Sequence, residues 1–189
     1  MKTVGVLALQ GDFAQHLASL QHMGVEGFEV REKADLKRVS GLILPGGEST
    51  TIAKLLKSTG LDLAVQQRVK AGMPVWGTCA GAILLAKKVD SLIPLETQLS
   101  LIDVDITRNA YGRQTESFRQ RLSFAGEKFP AFFIRAPKIT RLGRGVKVLV
   151  EDRGNPVCVQ QKQVMISTFH SELEGENPVL KSFLMMVRD

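Results

Sequence analysis

Two short runs without a polar residue, Gly41-Leu42-Ile43-Leu44-Pro45 and Met73-Pro74-Val75-Trp76, each give way to glycine and then to a helix-forming segment. A strand that is apolar at every position must be covered on both faces, which is the situation of a parallel sheet packed between helices. The flanking sequence agrees. Residues 3–9 read as a first strand and residues 25–31 as a second, and between them Phe13, Leu17, Leu20 and Met23 recur at helical spacing before Gly24. Ser49-Thr50-Thr51 opens a helix after Gly46-Gly47, and residues 61–70 suit another. An apolar helix over residues 82–86 follows Gly77-Thr78-Cys79-Ala80-Gly81. From residue 99 the pattern turns to strands, over 99–107, 121–124, 131–134, 146–151, 157–161 and 164–168. A last amphipathic helix starts at Asn177-Pro178 and ends near Arg188. The expected fold class is α/β, a doubly wound mixed sheet sandwiched by helices. With 189 residues, no repeat and no linker, one domain is expected over residues 1–189.

Composition removes several function classes. A hydrophobic fraction of 44% with 23% charged residues supports a continuous core and excludes a disordered chain. No apolar run approaches the ~20 residues that span a bilayer, and Met1-Lys2 leads into strand-like sequence without a cleavage pattern. No membrane partner is therefore expected, and the cytoplasm is the expected location. The net charge of +6 raises nucleic acid as a partner, but Lys and Arg are scattered and no recognition helix or aromatic RNA-binding motif accompanies them. No nucleic-acid partner is expected, and a basic face docking on an acidic protein explains the charge as well. Both cysteines are expected to be free thiols, with Cys158 structural inside Val157-Cys158-Val159.

Gly77-Thr78-Cys79-Ala80-Gly81 has the G-x-C-x-G form of a nucleophile elbow, where small neighbours allow a sharp strand-to-helix turn that pushes the central side chain outward. A cysteine placed just before a helix N-terminus faces the positive end of the helix dipole, which favours its thiolate. The bland alternative is a small thiol buried between glycines. Among three histidines, His16 and His22 fall on the first predicted helix, where a solvent-facing or capping role is expected. His170 follows the strand 164–168 and precedes Glu172 by two residues, so both side chains leave one strand end toward the same side. Cys79, His170 and Glu172 then take complementary roles as nucleophile, general base and orienter, although Glu172 read alone is also a plain turn residue. Acyl transfer further needs two donors for the developing oxyanion, and the backbone N–H groups of Gly47 and Ala80 are the candidates. Gly46-Gly47 read by itself need only make the turn.

Three segments, Leu44-Pro45-Gly46-Gly47-Glu48-Ser49-Thr50-Thr51, Gly77-Thr78-Cys79-Ala80-Gly81 and Phe169-His170-Ser171-Glu172, together resemble a class I (triad) glutamine amidotransferase. Three more, Gly5-Val6-Leu7-Ala8-Leu9-Gln10-Gly11-Asp12, Arg108-Asn109-Ala110-Tyr111-Gly112-Arg113-Gln114 and Phe133-Ile134-Arg135-Ala136-Pro137, are similar to the glutaminase subunits of pyridoxal 5′-phosphate synthases. The motifs span nearly the whole chain. The resemblance implies a flavodoxin-like class I glutamine amidotransferase fold and hydrolysis of L-glutamine to glutamate and ammonia through a cysteine thioester. The ammonia would pass to a separate barrel-shaped synthase subunit, which joins it to ribose 5-phosphate and glyceraldehyde 3-phosphate in vitamin B6 biosynthesis.

The resemblance also implies that Gly47, Glu48, Ser49, Arg108, Ile134 and Arg135 bind glutamine, that Gln10 lies toward the synthase, and that no cofactor or metal takes part. A bidentate arginine clamp on the substrate carboxylate is a physical reason for Arg108 or Arg135, each of which could otherwise be an ordinary surface arginine. Ser171 departs from the family pattern, which has proline after the catalytic histidine. Without that stiff residue, a looser placement of Glu172 relative to His170 is expected. Two competing readings remain at this level. Another triad amidotransferase subunit or an elbow-cysteine hydrolase would share nucleophile and fold, and a regulatory module would keep the fold without turnover.

Overall fold

A computed structural model describes residues 2–108, 117–173 and 177–188. The first half contains β1 (Thr3–Leu7), α1 (Phe13–His22), β2 (Glu26–Val30), β3 (Gly41–Leu44), α2 (Ser49–Thr59), α3 (Leu61–Lys70), β4 (Val75–Thr78) and α4 (Ala80–Leu85). The second half contains β5 (Ala86–Asp90), β6 (Ile102–Thr107), β7 (Phe118–Phe124), β8 (Glu127–Phe133), β9 (Lys138–Leu142), β10 (Lys147–Asp152), β11 (Asn155–Gln161), β12 (Val164–Ser167) and α5 (Pro178–Met186).

Seven strands form the central sheet in the order β10-β11-β12-β4-β3-β1-β2. Five of them, β2-β1-β3-β4-β12, are parallel, and β11 and β10 add an antiparallel edge. The parallel part therefore has the 2-1-3-4-5 order of a flavodoxin-like doubly wound sheet, with its switch point between β1 and β3. Alternation along each strand sorts side chains onto two cores. Leu42, Leu44, Val75, Val164 and Ile166 pack with the buried faces of α2, α3 and α4 and with the small sheet β5-β6-β9. Val6, Ile43, Trp76 and Met165 pack on the other side with Leu20 of α1, Phe183 of α5 and the inner residues of the β7-β8 hairpin. Both faces are covered, which is why the central runs tolerate no polar residue.

The expected α/β architecture is present, with corrections of detail. The apolar helix begins at Ala80, against the elbow, and ends at Leu85, two residues earlier at its start than the apolar pattern suggests. Ala86 passes directly into β5, whose two lysines point outward, so neither turn residues nor alternation announce that strand. β9 is mostly exposed and equally unpatterned. A turn of 3-10 helix at Asp35–Arg38 sits between β2 and β3. No helix among the described residues is long and apolar enough to cross a membrane.

The parallel strands all point their C-terminal ends at one edge of the sheet. There the chain leaves β1 at Gln10-Gly11-Asp12, β3 at Gly46-Gly47, β4 at Cys79 and β12 at His170, so four connections meet where ligands of open α/β sheets bind.

Candidate active site

Cys79 occupies the junction of β4 and α4 with φ 47° and ψ −101°, a conformation that costs roughly 1–3 kcal/mol in a residue with a Cβ. The junction is pinned on both sides. The Cys79 N–H donates to the Ser167 carbonyl at 2.9 Å, and the Cys79 carbonyl accepts from Ile83 N–H at 3.2 Å. Gly77 and Gly81 are required by close approach. A Cβ on Gly77 would run into the Gly81 backbone, and one on Gly81 would run into the Leu44 carbonyl. The G-x-C-x-G spacing is thus a packing requirement that brings the first turn of α4 against β3 and β4. The first N–H groups of that turn, beginning with Ala80, have no acceptor within the helix.

His170 is fixed by its backbone, which pairs antiparallel with Phe132 of β8 through N–H···O contacts of 2.8 and 2.9 Å. Its Nδ1 lies 2.7 Å from Glu172 Oε1, and its side chain engages Cys79 on the other side. Since a carboxylate can only accept, Nδ1 carries a proton and Nε2 is left to exchange one with the sulfur. Burial works against charge on this imidazole, but the bonds to Cys79 and Glu172 outweigh it and raise His170 to about 11. Burial likewise presses the Glu172 carboxyl upward, and the Nε2 edge of His16 beside it, with the hydrogen bond and charge of His170, outweighs it, bringing the group down to about 2. The pair therefore favours an imidazolium beside a carboxylate.

The expectation that Ser171 loosens Glu172 is corrected. The Ser171 N–H donates to Glu172 Oε2 at 2.9 Å, a bond that the N–H-less proline would forgo. The Ser19 hydroxyl also donates to the Glu172 carbonyl at 3.1 Å, tying this turn to α1.

A cleft of about 930 Å³ opens over Cys79 and His170, and Gly47, Glu48, Ser49, Ala80, Arg108, Ile134, Arg135 and Gln10 line it as well. All the candidate residues thus share one cavity except Glu172, which stands behind His170. Arg108 is held in the wall by Glu48 Oε1 at 3.1 Å and by the Ser91 hydroxyl at 3.2 Å. Residues 109–114 of the same motif lie outside the described residues. The Ile134 carbonyl is 3.9 Å from the sulfur, and Arg135 follows it with φ 45°, so the cleft holds a second non-glycine residue in the left-handed region. Gln10 turns into the cleft, where its Oε1 accepts from Glu48 N–H at 2.8 Å. Gly47 has φ 151°, and a Cβ there would stand 2.7 Å from Gln10 Oε1 and 2.9 Å from the Gly11 Cα, so both conformation and space ask for glycine.

Two residues near this centre escape the sequence reading. Asp12 lines the cleft, with Oδ2 3.9 Å from His170 Nδ1 and its N–H donating to the Gly46 carbonyl at 3.0 Å. His16, expected at the surface, is instead buried: its Nε2 is 3.1 Å from Thr78 Oγ1 and 3.4 Å from Glu172 Oε1. The missed signal is positional, because residue 16 falls on the 13-16-17-20 stripe that faces the sheet, where a polar side chain must find partners. His22 is exposed as expected. Cys158 is fully buried, and desolvation pushes its thiol well up from the usual range, as befits an inert cysteine.

Comparisons with known proteins point the same way. The model of the SNO glutamine amidotransferase family matches residues 6–189. The pyridoxal 5′-phosphate synthase subunit PdxT of Dehalococcoides mccartyi is 45% identical over 98% of this chain and 97% of its own. The PdxT subunit of Pseudothermotoga lettingae is 46% identical over 97% of this chain and 95% of its own. A crystal structure described as a glutamine amidotransferase superposes with a TM-score of 0.92 at 45% identity, covering 97% of each chain.

Proposed function

The chain belongs to the SNO glutamine amidotransferase family, and on that premise we propose that it is the glutaminase of a pyridoxal 5′-phosphate synthase, hydrolysing L-glutamine and passing the ammonia to a synthase subunit. The observation that carries the reading is the continuous line from the strained Cys79 through His170 to Glu172, with its 2.7 Å inner bond, at the floor of an open cleft.

The proton shared between the Cys79 thiol and His170 rests on Nε2, giving the imidazolium that Glu172 favours, and the sulfur so freed attacks the carboxamide carbon of glutamine while the amide oxygen takes the negative charge. The N–H groups of Gly47 and Ala80 are the donors assigned to that oxygen. Collapse of the intermediate transfers the proton from His170 to the departing nitrogen, releasing ammonia and leaving a thioester on Cys79. His170, neutral again, takes a proton from water as that water attacks the thioester, and returns it to sulfur as glutamate leaves. Glu172 keeps the imidazole oriented and offsets its charge in each half-reaction.

Substrate recognition falls to Gly47, Glu48, Ser49, Arg108, Ile134 and Arg135. The fixed guanidinium of Arg108 supplies a planar face for the α-carboxylate. The partner is a barrel-shaped synthase subunit, and Gln10 is the residue assigned to face it. A single domain over residues 1–189 acts in the cytoplasm, with no cofactor of its own.

Ammonia release from glutamine, measured as the synthase subunit is titrated in, tests the whole reading. Slow turnover alone and faster turnover in the mixture are expected. Equal rates would remove the coupling, and no glutamate in either would remove the function. The oxyanion assignment has its own check. Gly47→Ala must abandon φ 151° or strain it, and misplaces the loop N–H by crowding Gln10 and Gly11. A fall in kcat of roughly a hundredfold or more is expected, the usual cost of one lost oxyanion donor. A variant with wild-type kcat would exclude Gly47 from that role.

A further inference from the structure

We propose that His16 is a positioning residue of this site, donating its Nε2–H to the Glu172 carboxylate and the Thr78 hydroxyl, so that the acid behind His170 and the strand end bearing Cys79 share one frame. This rests on the glutaminase reading and extends it to a side chain outside the cleft.

The geometry limits the choices. His16 is 1% exposed, and its Nε2 sits 3.1 Å from Thr78 Oγ1 and 3.4 Å from Glu172 Oε1, the same oxygen that accepts from His170 Nδ1. Among the described residues its Nδ1 has no hydrogen-bond partner. A neutral imidazole carries one N–H, so two tautomers compete. With the proton on Nδ1, a buried donor is left unmade and the Nε2 lone pair faces a carboxylate oxygen. With the proton on Nε2, the donor has the Thr78 hydroxyl at 3.1 Å and a carboxylate oxygen at 3.4 Å, and only an acceptor lone pair goes unused. The second arrangement is clearly cheaper. Burial lowers the pKa of His16 more strongly than Glu172 raises it, which keeps the ring neutral. The titratable groups facing it are Glu172, His170 and Asp12.

The arrangement also accounts for a buried histidine in an otherwise apolar packing site. The ring meets Trp76 edge-on at 5.5 Å, a space that leucine or phenylalanine would fill without the donor. What an apolar residue cannot do is satisfy a carboxylate that is itself sealed from water. Each Glu172 oxygen then faces a donor, Oε1 the His170 Nδ1 at 2.7 Å with His16 Nε2 3.4 Å away, and Oε2 the Ser171 N–H at 2.9 Å.

The test compares wild type, His16→Leu and His16→Gln in complex with the synthase subunit. Loss of the donor should lower kcat about ten- to a hundredfold, the value of one hydrogen bond to a buried charge. KM should be unchanged, because His16 does not line the cleft. The alkaline limb of the pH profile should shift in His16→Leu, since the carboxylate that sets the His170 titration has lost one of the groups facing it. His16→Gln, which keeps an N–H, should recover most of both effects. Wild-type kcat and profile in His16→Leu would overturn the proposal, as would equal losses in both variants without a shifted limb. Nitrogen NMR of the imidazole in the unmodified chain provides an arm free of mutation. An Nε2–H neutral ring supports the proposal, and an Nδ1–H ring or an imidazolium near neutral pH overturns it. A wild-type complex that releases no ammonia would instead refute the glutaminase reading, while the NMR arm still decides the hydrogen bond.

Discussion

Cys79→Ala is expected to abolish ammonia release from glutamine while leaving the chain folded and able to bind its partner. The chemical half of that expectation follows from the absence of any substitute. Among the described residues no other thiol lines the cleft, and Cys158 is buried in the core with Leu20 of α1 and Phe183 of α5. Removing the nucleophile from a catalytic triad costs on the order of 10⁶ in kcat, enough to take turnover below detection. The structural half follows from what the thiol contributes to packing. Its contact with the Ile134 carbonyl is a long 3.9 Å, and alanine keeps the Cβ and therefore the same backbone constraint at φ 47°. The elbow is held by its N–H bond to Ser167 and by Gly77 and Gly81, none of which depends on sulfur. Thermal unfolding and co-elution with the synthase subunit should match wild type closely. Unchanged glutaminase activity would falsify the mechanism.

The cysteine elbow was legible in sequence for a local reason. The elbow is specified by five consecutive residues, so its spacing records a local packing constraint directly. The same holds for His170 and Glu172, which leave one strand end two residues apart. The central strands were legible because burial on both faces forces an unbroken apolar run, as at Gly41–Leu44. β5 was not, because it follows α4 without a turn and exposes Lys87 and Lys88, so its stability comes from pairing with β6. His16 was hidden differently. Its helix was visible, but a histidine among leucines is surface or core depending on partners that come from β4 and from the turn after β12, 62 and 156 residues away in the chain. Ser171 taught the opposite lesson. Its side chain suggested looseness, whereas its backbone N–H, invisible in any comparison of side chains, is what holds Glu172.

His170→Asn carries the second large effect, and asparagine is chosen because its amide NH₂ stands close to where Nδ1 stands in the imidazole. The variant can still donate to Glu172 Oε1, so the buried carboxylate is not abandoned, a situation that would cost about 3–5 kcal/mol. What disappears is Nε2, and with it the acceptor for the thiol proton and the donor for departing ammonia. Both half-reactions need that atom, so kcat should fall by on the order of 10⁴ to 10⁶. An electrophilic glutamine analogue should label Cys79 far more slowly as well, and labelling at the wild-type rate would contradict the base role. The charge that asparagine lacks gives an independent readout in stability. Glu172 is held low, so its contribution is present above its ordinary pKa of 4.5 and lost as pH falls toward about 2. His170 is held high, so its contribution is complete below its ordinary 6.5 and lost as pH climbs toward about 11. The ion pair therefore stabilises the fold most between pH 4.5 and 6.5. The difference in Tm between wild type and His170→Asn should peak in that window and narrow on either side, whereas a difference that stays flat with pH would mean that the imidazole is uncharged in the resting protein.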